Sequence, residues 1–338
     1  MTRSTPRRIA VIGGGANDEH DISTASAAAV TRALRAAGHD PVPMTVGRDG
    51  RWSWHDHRSW TPSEAVGALT ACDAAFPLLH GAHGEDGSVA GLLDLIGVPH
   101  VGSPVRAGAI AADKWVMKLL ADALGIATAP AELLDAALPA EDTVRTVALA
   151  PPLVVKPTSA GSSNGVSVVR RRDELPAAVR RARAAGRTVL AESFVSGREV
   201  DVAVFRDRTG TLRTGAPLEV EIGSGSVFDR TQKYDGSARF RIPADVAPDR
   251  SVALSAVSET LYDALGCVGV ARFDFFVTDD GVLLNEVNTT PGFTEQSQVP
   301  RMFAAVGLGF VGLVDEVVAS VLEPLHSDMA EDAGDGTP

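Results

Sequence analysis

Apolar runs alternate with amphipathic stretches along the first third of the chain. Three short apolar runs predict strands: RIAVI, DAAFPLL and VPHVG, at 8–12, 73–79 and 98–102. Three longer stretches carry apolar residues at helical spacing and predict helices, at 22–37, 87–97 and 108–126. Strands that alternate with helices form parallel sheets with helices on their faces, so the sequence predicts an α/β unit here. A second unit is expected to begin near Gly125, at the end of the third helix.

From residue 153 the pattern changes to short β-branched runs between glycine turns. These runs are LVVKP, GVSVV, TVLAES, VDVAVF and RTGAPLEVEI. They predict an α+β region with a largely antiparallel sheet. Residues 223–239 are polar and glycine-rich and predict a mobile loop, and loops of that length in compact domains are usually functional or disordered. The polar segment after Glu323 is expected to be a disordered tail.

Length, charge and cysteine content narrow the class of protein. A chain of 338 residues exceeds one ordinary domain of about 100 to 200 residues, so two or three domains are expected. The net charge of −12 excludes a general nucleic-acid binder, which needs a basic surface. The two cysteines lack CxxC spacing and suggest neither a disulfide framework nor a zinc site. This cysteine usage fits a reducing cytoplasm. No apolar run reaches the roughly 18 to 20 residues that span a bilayer, so we expect a soluble protein without membrane partners.

A lysine next to a loop of small residues is the first candidate site. In LVVKPTSAGSSNGVSVV (153–169), Lys156 ends an apolar run, and Gly161, Ser162 and Ser163 occupy the turn that follows. A fixed cation beside backbone and hydroxyl donors suits a polyphosphate. An edge-strand lysine followed by an ordinary turn is the alternative. The chain has no GxxxxGK[ST] motif, so a nucleotide would bind here without a P-loop.

The second candidate is the segment ARFDFFVTDDGVLLNEVNTTPG (271–292). Arg272 and Asp274 alternate onto one face of a predicted strand, the DDG turn reverses the chain, and Glu286 and Asn288 alternate onto one face of the next strand. Two carboxylates and an amide beside an arginine suit magnesium, which completes its coordination with water and phosphate. An internal cluster of ion pairs is the alternative.

Two glycine turns at predicted strand ends carry further polar residues. GGGANDEHDIS (13–23) lacks the third glycine of the dinucleotide fingerprint, so Glu19 and His20 either bind a small polar ligand or cap the helix. In LLHGAHGEDG (78–87), the glycines around His80 permit close approach of a ligand.

Together these segments resemble the D-alanine:D-alanine ligases of the ATP-grasp superfamily, over residues 9–322 and in the family's order. The resemblance is carried by the turn with Glu19, His20 and Ser23, and by HGEDG, VGS, AADK, VVKPTSAGSSNGVSVV, ESFVSGRE, FDRTQKY, ARFD and NEVNTTPGFTEQSQVP. It implies a three-domain ATP-grasp fold that combines α/β and α+β parts. The expected parts are an N-terminal parallel α/β domain at 1–102, a central subdomain at 103–192, a C-terminal subdomain at 193–326 and a tail at 327–338.

The resemblance also implies a role for individual residues. ATP would be bound by Lys114, Lys156, Ser163, Glu192, Phe194, Val195 and Glu199. Two Mg²⁺ ions, with Mn²⁺ as an alternative, would be held by Asp274, Glu286 and Asn288. The first D-alanine would contact Glu19 and His80, and the second Lys233, Ser297 and Gln298. Arg272 and the backbone N–H of Gly292 would stabilise an oxyanion, while Glu19, Ser162 and Tyr234 would hold the mobile loop closed.

The implied activity is ATP-dependent ligation of two D-alanines, through D-alanyl phosphate, for peptidoglycan precursor synthesis by a homodimer. The sequence QKY (232–234) favours an amine as the second substrate. Gln296 and Gln298 depart from the family pattern, so D-serine, another D-amino acid or D-lactate stays open as the second substrate. An inactive ATP-binding regulator is a further alternative, but it would be expected to lack some of the hairpin residues.

Overall fold

The structure is a computed structural model that describes residues 5–54, 58–221 and 239–322. Its helices are His20–Ala37 (α1), Pro62–Thr70 (α2), Ser88–Leu95 (α3), Val105–Ala112 (α4), Lys114–Ala123 (α5), Ala140–Thr146 (α6), Leu175–Ala185 (α7), Pro248–Leu265 (α8), Gln298–Ala305 (α9) and Phe310–Leu322 (α10). Its strands are Arg8–Gly14 (β1), Asp40–Val46 (β2), Trp52–Ser53 (β3), Ala74–Pro77 (β4), Ala131–Leu134 (β5), Leu153–Pro157 (β6), Ser167–Val169 (β7), Val189–Ser193 (β8), Arg198–Arg206 (β9), Leu212–Thr214 (β10), Leu218–Glu221 (β11), Arg239–Arg241 (β12), Val270–Val277 (β13) and Val282–Asn288 (β14).

The first sheet has the strand order β3-β2-β1-β4, and β1 pairs in parallel with both β2 and β4. Strand β1 is covered on both faces: Ile9 lies in one apolar cluster with Leu34 of α1, and Ile12 lies in another with Leu93 of α3. This double coverage explains why the strand is an unbroken apolar run. Helix α1 ends at Gly38, whose φ of 99° is the left-handed conformation that glycine adopts most easily. The predicted α/β unit is confirmed.

One predicted strand of this unit is wrong. VPHVG forms only an isolated bridge between Ala75 and His100, not a strand. Pro99 has no N–H to donate, and Gly97 and Gly102 on either side have positive φ, so the backbone leaves the sheet after one pair.

The single helix predicted over 108–126 is also wrong, because α4 ends at Ala112 and α5 begins at Lys114. Asp113 between them has an extended backbone, and its carboxylate accepts hydrogen bonds from the backbone N–H groups of Trp115 and Val116. Such capping offers the chain an alternative to continuing the helix, and here it outweighs the apolar periodicity.

The predicted antiparallel pairing is confirmed, but the runs after residue 153 belong to two separate sheets instead of one. One has the order β5-β8-β6-β7, and the other has the order β12-β11-β9-β13-β14, with β10 also pairing with β9. The run RTGAPLEVEI is two strands, β10 and β11, because Gly215, Ala216 and Pro217 interrupt it.

The third sheet is buried on both faces. On one face, residues of β9 and β13 such as Val202 and Phe273 pack with Leu261 of α8. On the other face, Phe205 shares a cluster with α9, α10 and the α1 side of the first sheet. Within the described ranges, no single helix is long and apolar enough to cross a membrane, and α9 and α10 meet that test only as a pair bent by 100°.

Candidate active site

The hairpin of β13 and β14 presents four polar side chains on one face. Asp274 lies opposite Glu286, and Arg272 lies opposite Asn288, so the predicted hairpin is confirmed. Side chains on neighbouring strands that face each other directly project to the same side of a sheet. The hairpin therefore gathers two acids, an amide and an arginine on one surface.

Arg272 is paired with Asp274 by two hydrogen bonds. Its Nε and Nη2 donate to the two carboxylate oxygens, each at 2.7 Å. Although burial penalises the charged form of Arg272, the carboxylates of Asp274 and Asp201 outweigh that penalty and raise its pKa. Asp201 on β9 lies opposite Asp274 and is only 2% exposed. Asp201 was missed in the sequence, where its one signal is a charged residue inside the apolar run VDVAVF.

Lys114 bridges the loop after β6 and the hairpin. Its Nζ lies 3.2 Å from Glu286 Oε2 and donates to the carbonyl of Ala160 at 3.4 Å. Burial lowers the pKa of Lys114, but the charge of Glu286 outweighs burial and leaves it raised. The ammonium is therefore fixed as a cation at the centre of the cleft.

A second cluster of buried charges lies on β6, β8 and α5. One Glu192 oxygen is 2.5 Å from Lys156 Nζ, and the other is 3.1 Å from Lys118 Nζ. All three residues are less than 10% exposed. Burial raises the pKa of Glu192, but its two lysine neighbours outweigh this and lower it, whereas burial, reinforced by Lys156, lowers the pKa of Lys118. Two cations share one anion, which leaves this wall of the cleft net positive.

Lys118 was also missed in the sequence. Its signal is the spacing of four residues from Lys114 on the same helix, which places both side chains on one helix face. Lys118 also donates to the carbonyl of Ala129 at 2.9 Å.

The turn of Gly161, Ser162 and Ser163, here called the serine loop, contacts the N-terminal unit through Glu19, which immediately precedes α1. The Ser162 hydroxyl donates to Glu19 Oε1. Ser162 and Ser163 have φ values of 51° and 57°, a conformation that costs a residue with a side chain about 1 to 3 kcal/mol. Glu19 stands at the N-cap position of α1 but forms no side-chain cap, so the capping interpretation of Glu19 is wrong. The nearby His20 ring bonds the Gly15 carbonyl through Nδ1 at 2.8 Å.

His80 lines the cleft but is largely occupied by the protein. Its Nδ1 donates to the Thr290 carbonyl at 2.8 Å, and its Nε2 lies 3.5 Å from the Ser26 hydroxyl. The group that closely approaches the neighbouring Gly81 is a side chain of the protein, because a Cβ at Gly81 would lie 2.6 Å from Glu19 Oε2; close approach of a ligand stays a prediction. His80 thus links the first sheet to the loop after β14.

The cleft has two lobes that share Lys114, Ser162 and Glu286. The first lobe, of about 730 Å³, is lined by every residue predicted to bind ATP: Lys114, Lys156, Ser163, Glu192, Phe194, Val195 and Glu199. The second lobe, of about 800 Å³, is lined by Glu19, His80, Ser162, Arg272, Asp274, Glu286, Asn288, Gly292, Ser297 and Gln298. The structure therefore brings together all the described residues to which the resemblance assigns a role, whereas His20 lines neither lobe. Lys233, Tyr234 and nearly all of the predicted mobile loop at 223–239 lie outside the described residues.

The metal candidates are Asp274, Glu286 and Asn288. Among the described residues, no three His, Cys, Asp or Glu side chains form a group that could hold a metal ion, and this set has two carboxylates and one amide. The Asn288 Oδ1 accepts a hydrogen bond from the backbone N–H of Thr290 at 2.9 Å. An all-oxygen set with few protein ligands fits Mg²⁺ bound together with phosphate. The carboxylates of Asp201 and Asp274 against one Arg272 also leave an excess negative charge that suits a cation.

Family models match most of the chain. The model described as the D-ala D-ala ligase C-terminus matches residues 120–319, and that of the N-terminus matches residues 8–68 and 57–103. The chain belongs to the D-alanine:D-alanine ligase family. The D-alanine:D-alanine ligase of Corynebacterium aurimucosum is 35% identical, over 95% of this chain and 99% of its own length. That of Mycolicibacterium smegmatis is also 35% identical, over 93% of this chain and 95% of its own.

Solved structures of the ligase family have the same fold. The VanG D-Ala:D-Ser ligase of Enterococcus faecalis superposes with a TM-score of 0.83 at 30% identity, covering 94% of this chain and 100% of that one. The D-alanine:D-alanine ligase of Coxiella burnetii gives a TM-score of 0.80 at 26% identity, with 94% of both chains covered. The predicted ATP-grasp fold is confirmed.

Proposed function

We propose that this chain joins two D-alanines to D-alanyl-D-alanine at the expense of ATP, for peptidoglycan precursor synthesis. The observation that carries the proposal is the shared wall of the two lobes, where Lys114, Ser162 and Glu286 face both the lysine-lined lobe and the arginine-carboxylate lobe. A phosphoryl donor in the first lobe and two small substrates in the second would meet at this wall. Membership of the D-alanine:D-alanine ligase family supports the same chemistry.

In the first step, a carboxylate oxygen of D-alanine attacks the γ-phosphorus of ATP. The new P–O bond forms as the bond to the β,γ-bridging oxygen breaks, which yields D-alanyl phosphate and ADP. Lys114 and Lys156 hold the phosphates, since phosphoryl transfer depends mainly on positioning and charge stabilisation. Glu192 accepts a hydrogen bond from the adenine amino group, and Glu199 contacts the ribose hydroxyls. Phe194 and Val195 line the pocket for the base. Ser163 contacts ATP from the serine loop.

In the second step, the amine of the second D-alanine attacks the acyl carbon. A C–N bond forms, phosphate leaves with the electrons of the C–O bond, and the amine loses a proton. The Arg272 guanidinium and the Gly292 N–H stabilise the tetrahedral oxyanion, an effect worth about 3 to 4 kcal/mol per donor. Arg272 suits this role because its carboxylate partners fix the guanidinium in place.

Asp274, Glu286 and Asn288 would hold two Mg²⁺ ions, or Mn²⁺ in their place. The metal would supply neutralisation of the phosphate charge. Lys114 contributes a further positive charge from the protein itself. Its pairing with Glu286 holds the ammonium at the junction of the lobes.

The two substrates bind in the second lobe. Glu19 holds the first ammonium, and its bond to Ser162 ties that substrate site to the serine loop. His80 supports this site from its bond to Thr290. The second carboxylate is held by Ser297 and Lys233, and Tyr234 completes the closure with Ser162 and Glu19.

D-Serine as second substrate is the other candidate, because Gln296 and Gln298 line this lobe with amides. The Gln298 amide is used within the protein, however: its oxygen accepts from Arg272 at 2.9 Å, and its nitrogen donates to Asp201 at 2.8 Å. A side chain held in this way favours the smaller apolar D-alanine over D-serine.

The test is ADP release and product mass with ATP, Mg²⁺ and D-alanine, run in parallel with D-serine, D-lactate and L-alanine. D-Alanyl-D-alanine as the main product is expected, with Arg272→Ala as the control that retains ATP binding but loses dipeptide synthesis. Absence of ADP release with every D-amino acid, from folded protein that binds ATP, would overturn the assignment.

We further propose the three domains at 1–102, 103–192 and 193–326, a cytoplasmic setting and a homodimer. Each of the three sheets falls in one proposed domain except for the last residue of β8, Ser193, which supports the boundaries to within one residue. Limited proteolysis with mass spectrometry tests the domain boundaries, and light scattering coupled to size exclusion tests the dimer.

A further inference from the structure

We propose that Asp201 and Gln298 are positioning residues that hold the Arg272 guanidinium towards the reacting acyl carbon. This inference rests on the proposed ligase function. It assigns a role to Asp201, a buried carboxylate outside the proposed ATP, metal and substrate sets. It also gives Gln298 a role through Arg272 instead of a contact with the second substrate.

The hydrogen bonds form a chain with one consistent direction. Arg272 Nη1 donates to Gln298 Oε1 at 2.9 Å, and Gln298 Nε2 donates to Asp201 Oδ2 at 2.8 Å. The same Asp201 oxygen lies 3.9 Å from Arg272 Nε. Because arginine only donates and a carboxylate only accepts, the amide between them has one orientation that satisfies both neighbours.

The donor count leaves Arg272 with the hydrogens that catalysis needs. A guanidinium has five N–H donors. Among the described residues, the two bonds to Asp274 and the one to Gln298 use three of them, which leaves one on Nη1 and one on Nη2. Two neighbouring donors on separate nitrogens suit a single developing oxyanion.

Burial explains why Asp201 matters energetically. Its side chain is 3% exposed, and its neighbours on the same face of β9, Ala203 and Phe205, are fully apolar and buried. A carboxylate buried in such a place destabilises the folded chain unless it is paired and hydrogen-bonded. Its pairing with Gln298 and the nearby guanidinium therefore stabilises one arrangement of all three side chains.

Asp201 also supplies a charge that the proposed metal chemistry does not share. Asp274 belongs to the proposed metal set, and its attraction for Arg272 weakens when its charge is shared with a divalent cation. Asp201 lies on the neighbouring strand, outside the proposed metal set, with its carboxylate 3.9 Å from Arg272 Nε. The guanidinium thus remains in place while Asp274 serves a second purpose.

The experiment is a polarity swap between positions 201 and 298. Gln298→Glu alone places two carboxylates side by side and should lower kcat and kcat/KM for dipeptide synthesis together, by about 10- to 100-fold, the size expected for a misplaced catalytic group. Adding Asp201→Asn restores one donor, one acceptor and the original net charge. In the double variant the amide at position 201 donates to the carboxylate at position 298, and that carboxylate still accepts from Arg272. The double variant should recover most of the lost rate.

A second readout separates positioning from general damage. Exchange of ¹⁸O between the bridge and non-bridge positions of ATP, measured with the first D-alanine, reports acyl phosphate formation and should persist in Gln298→Glu. Glu316→Gln is the matched control, because Glu316 pairs with Arg208 at 2.6 Å on α10, outside the cleft lining, and its loss should leave both rates unchanged.

The inference fails if the double variant is no more active than Gln298→Glu, or if exchange and dipeptide synthesis fall together. If Gln298→Glu does not fold, Gln298→Met, which keeps the side-chain length, must show the selective loss of the second step. A wild-type chain that makes no dipeptide would instead overturn the proposed function, which keeps the two failures distinct.

Discussion

The cluster of Glu192, Lys118 and Lys156 predicts that two substitutions of buried charges will have very different effects on stability. Their side chains are 6%, 9% and 8% exposed, so water and salt screen them little. Glu192→Gln leaves two buried ammonium groups without a countercharge. Lys118→Met leaves the single pair of Glu192 and Lys156, which is neutral overall.

The magnitudes follow from this charge count. Removing one partner of a buried pair costs about 3 to 5 kcal/mol, because it leaves an uncompensated buried charge. Lys118→Met loses the hydrogen bond to Ala129, worth about 1 kcal/mol, but removes a lysine whose pKa burial has already lowered. We therefore expect Glu192→Gln to lower the free energy of unfolding by about 3 to 5 kcal/mol, and Lys118→Met to change it by about 1 kcal/mol or less.

Thermal unfolding without nucleotide is the assay. A loss of 3 to 5 kcal/mol corresponds to a fall in Tm of roughly 6 to 20 °C in the transition that contains this unit. Glu192 also predicts how stability changes at acid pH, because folding lowers its pKa from 4.5. Its contribution is fully present above pH 4.5 and is lost as pH falls through the folded pKa, so the difference between wild type and Glu192→Gln should shrink in acid.

Equal destabilisation by the two variants would refute this reasoning. It would show that Lys118 is a required partner of Glu192 and not an excess cation. Lys156→Met is the matched comparison, because it also leaves one lysine with Glu192 but lies on a central strand instead of a helix.

The hairpin residues could be predicted because their signal is local. A period of two places Arg272 with Asp274 and Glu286 with Asn288 on one face, and the DDG turn then pairs the two strands. Asp201 is different, since it reaches this face only through the pairing of β9 with β13, about 70 residues later in the chain. No local pattern encodes that register.

His80 and Asp113 show a second reason why the structure departs from the sequence-based predictions. Glycines beside His80 predicted close approach of a ligand, but Glu19 approaches Gly81, and the His80 ring donates to the Thr290 carbonyl from a distant part of the chain. Asp113 lies within an apolar periodicity that predicts one helix, yet its carboxylate caps a new one. In both cases a polar group found a partner that outweighed the local pattern.

Substitutions at three further positions test the cleft and the first sheet. Burial lowers the pKa of His100 despite the nearby Asp94, so the unfolded chain binds a proton at His100 more readily than the folded chain does. The free energy of unfolding should therefore fall as pH drops below 6.5. Thermal melts at a series of pH values should show a smaller fall for His100→Gln. Lys114→Met should lower kcat/KM for ATP by about 10- to 100-fold in steady-state assays, because it removes a charge-assisted contact to phosphate. Ser162→Ala and Ser162→Gly both lose the bond to Glu19 and should lose kcat/KM equally, but only glycine relieves the φ of 51°. The glycine variant should therefore resist urea better by about 1 kcal/mol, and equal stability would show that the serine loop does not keep this backbone conformation in solution.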